Sequence, residues 1–217
     1  MAIPKTIQQK LDEGRQYRRI DVKNLEIRSD NDGEMIVEGY ATTFNEPYEL
    51  YRYGSYIVRE QVDAHAFDGA DMGDVIMQYD HQGRVFARNS NGTLTLTVDN
   101  HGLKIRADLG GTELGRQLYE EIKGGYTDKM SFGFTVEKDK REEKTDRDSG
   151  VVTVLRTITG IRKLYDVSAV SIPANNATEI SARNYGEGVI AELEEERRRQ
   201  REARERQKRK IKILLEV

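Results

Sequence analysis

The chain has 217 residues, 36% hydrophobic and 34% charged, with a net charge of −3 and neither Cys nor Trp. This composition fits one ordinary globular domain with a charged extra segment, and it excludes a collagen, a disulfide scaffold, a thiol nucleophile and Cys-ligated zinc. No apolar run approaches the roughly 18 residues of a spanning helix, and the first residues carry charges where a signal peptide needs an apolar stretch, so the expectation is a cytosolic protein without membrane contact.

Three parts are expected: an N-terminal arm over 1–20, a body over 21–183 and a charged tail over 184–217. In the body, Met35 to Phe44 is rich in β-branched and aromatic residues and follows the turn signal Asn31-Asp32-Gly33, which predicts a strand. Tyr48, Tyr51, Tyr53 and Tyr56 then cluster, either as a rim for an extended peptide or nucleobase or as a hairpin covering one end of the core. A short helical segment is expected around His65, and a strand through Val75-Ile76-Met77 that ends at His81.

Leu94, Leu96 and Val98 alternate with threonines, Asp99 to Gly102 supplies turn chemistry, and Leu103, Ile105 and Ala107 alternate on the return, which predicts a hairpin. Thr112 is a candidate N-cap for a helix with Leu114, Leu118 and Ile122 on one stripe, and Gly124-Gly125 is its stop. Strands follow at Ser131 to Val136, Val151 to Ile158 and Leu164 to Ile172, the last closed by Pro173 to Asn176. Lys138 to Gly150 has ten charged residues of thirteen and no apolar side chain, so it reads as a mobile hairpin tip. Six or seven strands with one or two covering helices imply a β-rich barrel or sandwich.

The tail concentrates charge. Residues 197–212 carry ten Lys/Arg against Glu202 and Glu205, a net +8, which leaves −11 for the rest. Its residues favour helix, but its apolar positions sustain no heptad. It is either a solvated single helix or an arm for an anionic partner.

The chain holds three histidines and eight serines. His101 falls at a hairpin tip, where a side chain is ordinarily solvated; His65 reads as a surface or packing residue; His81, at a strand end, is the best placed to act as a base. No His-x-x-x-His or Glu-x-x-His pattern suggests a metal, and the Gly pairs match neither nucleotide fingerprint. Ser131 opens a strand after a helix stop, and nearby Gly133 permits close approach of another backbone or a substrate. A serine hydroxyl needs a base to become nucleophilic, and imidazole in turn needs an acceptor on its second nitrogen. Asp166, a carboxylate in an apolar strand, could supply it or could pair with Arg162 or Lys163. Ser131 could equally be a turn-capping hydroxyl.

Read together and in order, Glu38-Gly39-Tyr40-Ala41 with Phe44, Asp63-Ala64-His65-Ala66-Phe67, Tyr79-Asp80-His81, Asn91-Gly92-Thr93-Leu94, Asp99-Asn100-His101-Gly102-Leu103, Met130-Ser131-Phe132-Gly133-Phe134 and Asp166-Val167-Ser168-Ala169-Val170-Ser171-Ile172-Pro173-Ala174 resemble the tailed-bacteriophage prohead maturation serine proteases over about residues 21–183. The resemblance implies a fold related to the herpesvirus assemblin proteases, a β-barrel of about half a dozen strands wrapped by helices. It implies cleavage of the scaffolding segment of the capsid protein, followed by self-digestion, inside the prohead in the host cytoplasm. It places the catalytic histidine at His81, the serine at Ser131 and the third member at Asp166. Many relatives have Glu at the third position, and Ala64-His65 stands where the family often has Pro-Gly, which makes His65 a control position. The expected partners are the major capsid protein and further copies of this chain; no metal or organic cofactor is expected, and nucleic acid is not the expected partner. The rival readings are a non-enzymatic scaffold protein and a nucleic-acid-binding β-barrel using the tyrosines and the basic tail.

Overall fold

The computed structural model describes residues 14–20, 25–28, 33–170 and 176–215. Its strands are β1 (Gln16–Ile20), β2 (Glu26–Arg28), β3 (Ile36–Thr43), β4 (Tyr48–Tyr53), β5 (Tyr56–Val62), β6 (Ile76–Tyr79), β7 (Gln82–Arg88), β8 (Leu94–Val98), β9 (Gly102–Asp108), β10 (Lys129–Thr145) and β11 (Val152–Val170). Its helices are α1 (Glu113–Lys123) and α2 (Asn176–Leu215). The chain is mainly β with two helices among the described residues, an α+β arrangement.

One sheet runs β1-β10-β11-β5-β4, with the β6–β7 hairpin pairing alongside the far end of β11; the other runs β2-β3-β9-β8. The barrel expectation fails here. A bridge between Phe44 and Val62 links the two sheets, but among the described residues no ladder closes them. Alternating apolar residues specify strands and their buried faces, whereas closure depends on which distant edges pair. The inner faces meet in one core that includes Val37, Ile105, Met77, Phe132, Phe134 and Val167. Thr112 caps α1 by accepting from the Gly115 amide, and Leu118, Tyr119 and Ile122 face that core, while Leu114 lies outside the stripe.

Four local expectations change. The stretches expected as two strands, Val151 to Ile158 and Leu164 to Ile172, form the single strand β11 as far as Val170. Residues 171–175, with the Pro173 to Asn175 closure, lie outside the described set, as do Asn31 and Asp32. Four register shifts between Gly133 and Asp139 leave Tyr165, Arg162 and Thr159 of β11 and Glu137 of β10 without an opposite residue, so β11 passes Gly160 as one strand with local bulges. The segment expected as a mobile tip is regular strand to Thr145, with its charged side chains exposed. Its apolar support comes from its partner: Val154 and Val58 pack against Val189, Ile190 and Leu193 of α2, and Arg141 pairs with Glu192 at 2.7 Å. The His65 segment is turn rather than helix. Strand β1 lies within the expected N-terminal arm, and its five residues pair with Met130 to Phe134.

The tyrosine cluster is a covering hairpin, β4–β5, with Tyr51 and Tyr56 packed against the α2 cluster. Helix α2 begins well before residue 184 and divides in two: Val189, Ile190 and Leu193 are docked, and residues 198–211 are exposed. No helix among the described residues is long and apolar enough to cross a membrane.

Candidate active site

Three adjacent strands bring together residues far apart in sequence. β11 lies between β10 and β6, antiparallel to the first and parallel to the second. The register sets Ser131 opposite Ser168 and Gly133 opposite Asp166. Because side chains alternate along a strand, Ser131, Asp166 and Ser168 share one face.

His81 reaches that face from a turn rather than from a strand end. Tyr79 pairs with Gln82, leaving Asp80 and His81 as a two-residue hairpin loop with φ values of 49° and 58°. Positive φ at both central residues is the signature of the type I′ turn, whose twist suits a tight hairpin. Asp and His tolerate this region better than β-branched residues, but it still costs more than at glycine. The Asp80 amide donates to the Ala169 carbonyl at 3.0 Å, anchoring the turn to the end of β11.

The imidazole lies between the other two groups. Its Nδ1 is hydrogen-bonded to Asp166 Oδ1, and its Nε2 lies 2.5 Å from Ser131 Oγ. The Asp166 carboxylate also accepts from Ser168 Oγ at 3.0 Å. Lys163, considered above as a partner for Asp166, instead pairs with Asp71 at 2.7 Å. Exposure is 0% for His81, 0% for Ser131 and 1% for Asp166.

Ser131 Oγ has a second neighbour, the Arg18 carbonyl oxygen at 2.9 Å. A hydroxyl has one proton, so the two contacts cannot both be donations. With a neutral imidazole protonated on Nδ1, the serine donates to Nε2; with an imidazolium, Nε2 donates to Oγ and the serine donates to Arg18. The arrangement therefore supports proton exchange between an alcohol and an imidazole whose far side faces a carboxylate.

Three further contributors surround these groups, and of them the sequence marks only Gly133, as room for close approach. Tyr17 of β1 covers the imidazole, with ring centroids 4.4 Å apart; it lies in the expected arm, and nothing local marks it. Ser168 stands two residues after Asp166, a strand spacing that could have flagged it. Gly133 makes room for the carboxylate: a Cβ there would stand 2.3 Å from Asp166 Oδ2 and 2.9 Å from Tyr17 Cε1. The other histidines are elsewhere. His65 is exposed and contacts Asp68, and His101 lies at the β8–β9 tip against the edge of Tyr40. Among the described residues no cluster of His, Asp and Glu is arranged to hold a metal.

Comparison with known proteins supplies one match. A family profile described as caudovirus prohead serine protease matches residues 23–189. No curated protein and no solved structure matches the chain.

Proposed function

The chain belongs to the caudovirus prohead serine proteases, and from that premise we propose that Ser131 is its nucleophile, His81 its general base and Asp166 the carboxylate that orients the imidazole. The family hydrolyses peptide bonds, and such a protease works among capsid proteins in the phage prohead. The observation that carries the assignment is the imidazole with Nδ1 on Asp166 and Nε2 2.5 Å from Ser131 Oγ.

The reaction is acyl transfer. Ser131 Oγ adds to the scissile carbonyl carbon while His81 Nε2 takes its proton. The C–N bond then breaks, and Nε2 returns that proton to the leaving amine. Water, deprotonated by the same nitrogen, attacks the ester and releases the carboxyl product with free Ser131. Asp166 holds the tautomer and stabilises the imidazolium formed in between. Backbone N–H groups about 2.7–3.1 Å from the developing oxyanion complete the requirement.

The finer reading names the substrate. The chain cuts the scaffolding segment of the major capsid protein inside the prohead, in the host cytoplasm, and then digests itself; kinship of its fold with the herpesvirus assemblin proteases belongs to the same reading. The exposed basic half of α2 fits an acidic scaffolding partner. Co-expression with the capsid protein tests the whole. Ser131→Ala should reduce cleavage by about 10⁴-fold or more while leaving the far-UV spectrum and the unfolding midpoint in place. Undiminished processing by that variant rejects the assignment.

A further inference from the structure

Resting on the catalytic assignment above, we propose that β1 occupies the position of a substrate strand, and that Glu60 is the specificity-determining residue of a pocket that receives an arginine or lysine side chain beside the scissile bond. A nucleophile at 0% exposure must be uncovered before a substrate reaches it. The covering element is β1, paired antiparallel to β10 from Gln16 opposite Phe134 to Ile20 opposite Met130. The edge it occupies is the kind to which an extended peptide adds as a strand, with main-chain hydrogen bonds for affinity and pockets for alternate side chains. β1 also precedes the residues that match the family.

The contacts of β1 bring one of its carbonyls to the nucleophile through the oxygen, so a strand to be cut must turn that carbonyl to present its carbon to Oγ and its oxygen to backbone N–H donors. The Arg18 carbonyl lies against Ser131 Oγ at 2.9 Å. Tyr17 turns to one face, over His81, and Arg18 turns to the other. There the guanidinium is 1% exposed and grips Glu60 with two donors, Nε to Oε1 at 2.5 Å and Nη2 to Oε2 at 3.1 Å. Tyr48 donates to the same carboxylate at 2.5 Å, Arg156 donates to it at 2.7 Å, and the Phe134 ring lies 5.9 Å from the Arg18 guanidinium.

Charge decides what fits. The Glu60 carboxylate, 0% exposed, is paired with both Arg18 and Arg156, and Arg156 also donates to Asp139, whose carboxylate is open to solvent at the rim. A cation completes the pocket, whereas a neutral side chain would bury the Glu60 carboxylate without its second counter-charge. A substrate strand replacing β1 therefore places a basic residue over Glu60 and that residue's carbonyl at Ser131. Oγ bonds to this carbonyl carbon, the bond to the following nitrogen breaks, the amine leaves with the proton carried by His81, and water releases the new carboxylate.

The test uses the full-length protein and a synthetic peptide of residues 14–23, GRQYRRIDVK, beside the same peptide carrying R18Q. The first should be cut between Arg18 and Arg19 by the wild type and left intact by Ser131→Ala, and the R18Q peptide should be cut at that bond at least about ten-fold more slowly, as a lost charge-assisted pair implies. Introducing R18Q into the protein itself should loosen β1 and speed cleavage of the unmodified peptide. E60Q should bring the ratio of the two peptide rates toward one, a comparison made within one protein and so indifferent to its folded fraction. Equal rates on the two peptides with the wild type, or no cleavage of either while the capsid protein is still processed, overturn the inference alone. Cleavage of peptide and capsid protein by Ser131→Ala overturns the catalytic assignment with it.

Discussion

Two buried polar clusters lie on opposite faces of β1, and they differ in what their groups can do with a proton. On one face stand Ser131, His81 and Asp166; on the other, Arg18, Glu60 and Arg156. The second cluster is built to stay as it is. Guanidinium does not deprotonate in a protein, and although burial pushes Glu60 up, the Arg18 and Arg156 charges with the Tyr48 hydroxyl outweigh it and hold the carboxyl below its ordinary range. The first cluster contains a hydroxyl with one proton between two acceptors and an imidazole that can take it. Burial and close polar contacts are common to both, so they do not distinguish a reactive site from a brace. The capacity to exchange a proton does.

The largest effect should come from Asp166→Asn. The amide keeps the shape but offers a donor where Nδ1–H needs an acceptor, favouring the wrong tautomer, and a loss of about 10⁴-fold in cleavage rate is expected. The unfolding midpoint should move little by comparison. A variant retaining most of its activity would reduce Asp166 to a packing residue and erase the contrast between the two clusters.

The ionic cluster responds in stability. Glu60→Gln leaves two buried guanidinium groups facing an amide and should cost about 3–5 kcal/mol at neutral pH, the range for breaking a buried pair. The sign of the pH dependence follows from the lowered carboxyl. The stabilisation is fully present above the unfolded carboxylate value of about 4.3 and is lost as pH falls through the folded value. Urea midpoints at neutral pH and near pH 3 should therefore show a gap between wild type and variant that narrows on acidification. A gap that widened would contradict the placement of Glu60 as an ionised group.

Gly133→Ala joins geometry to chemistry. The new methyl cannot sit 2.3 Å from Asp166 Oδ2, so the carboxylate or the Tyr17 ring must shift. A displacement of about 1 Å at a positioning group costs about 10²-fold in rate. The loss should appear in kcat, because the methyl displaces the carboxylate that orients the imidazole, and a rise in KM beside it would show that the methyl also presses on the strand paired with Gly133.

How much of this was legible in the sequence depends on whether a feature is local or requires register. His81, Ser131 and Asp166 could be picked out because each stands in a short distinctive setting and because their order resembles a family. The role of Gly133 was legible only as room for close approach; that the approaching group is Asp166 follows from a β10–β11 pairing no local pattern encodes. The charged run beyond Lys138 was misread because its own residues offer nothing to bury. The support comes from Val154 and from α2, some 45 residues downstream along the chain. Arg18 and Tyr17 were invisible as site residues for the same reason: a five-residue strand acquires its meaning from the edge it fills.

The smallest effect is expected at His101, and it sharpens the contrast between histidines. Its imidazole meets the Tyr40 ring edge-on with centroids 4.6 Å apart, a contact worth about 0.5–1.5 kcal/mol. The turn does not depend on that ring: Asp99 Oδ1 accepts from the His101 and Gly102 amides, and Tyr40 donates to Asp99 Oδ2 at 2.7 Å. His101→Ala should therefore lower the unfolding midpoint slightly and leave the rate of capsid-protein cleavage within about two-fold of wild type. If His101→Ala abolished cleavage while His81→Ala remained active, the base would have to be reassigned, because a solvated ring at a hairpin tip would then be carrying the proton that the buried one is placed to carry.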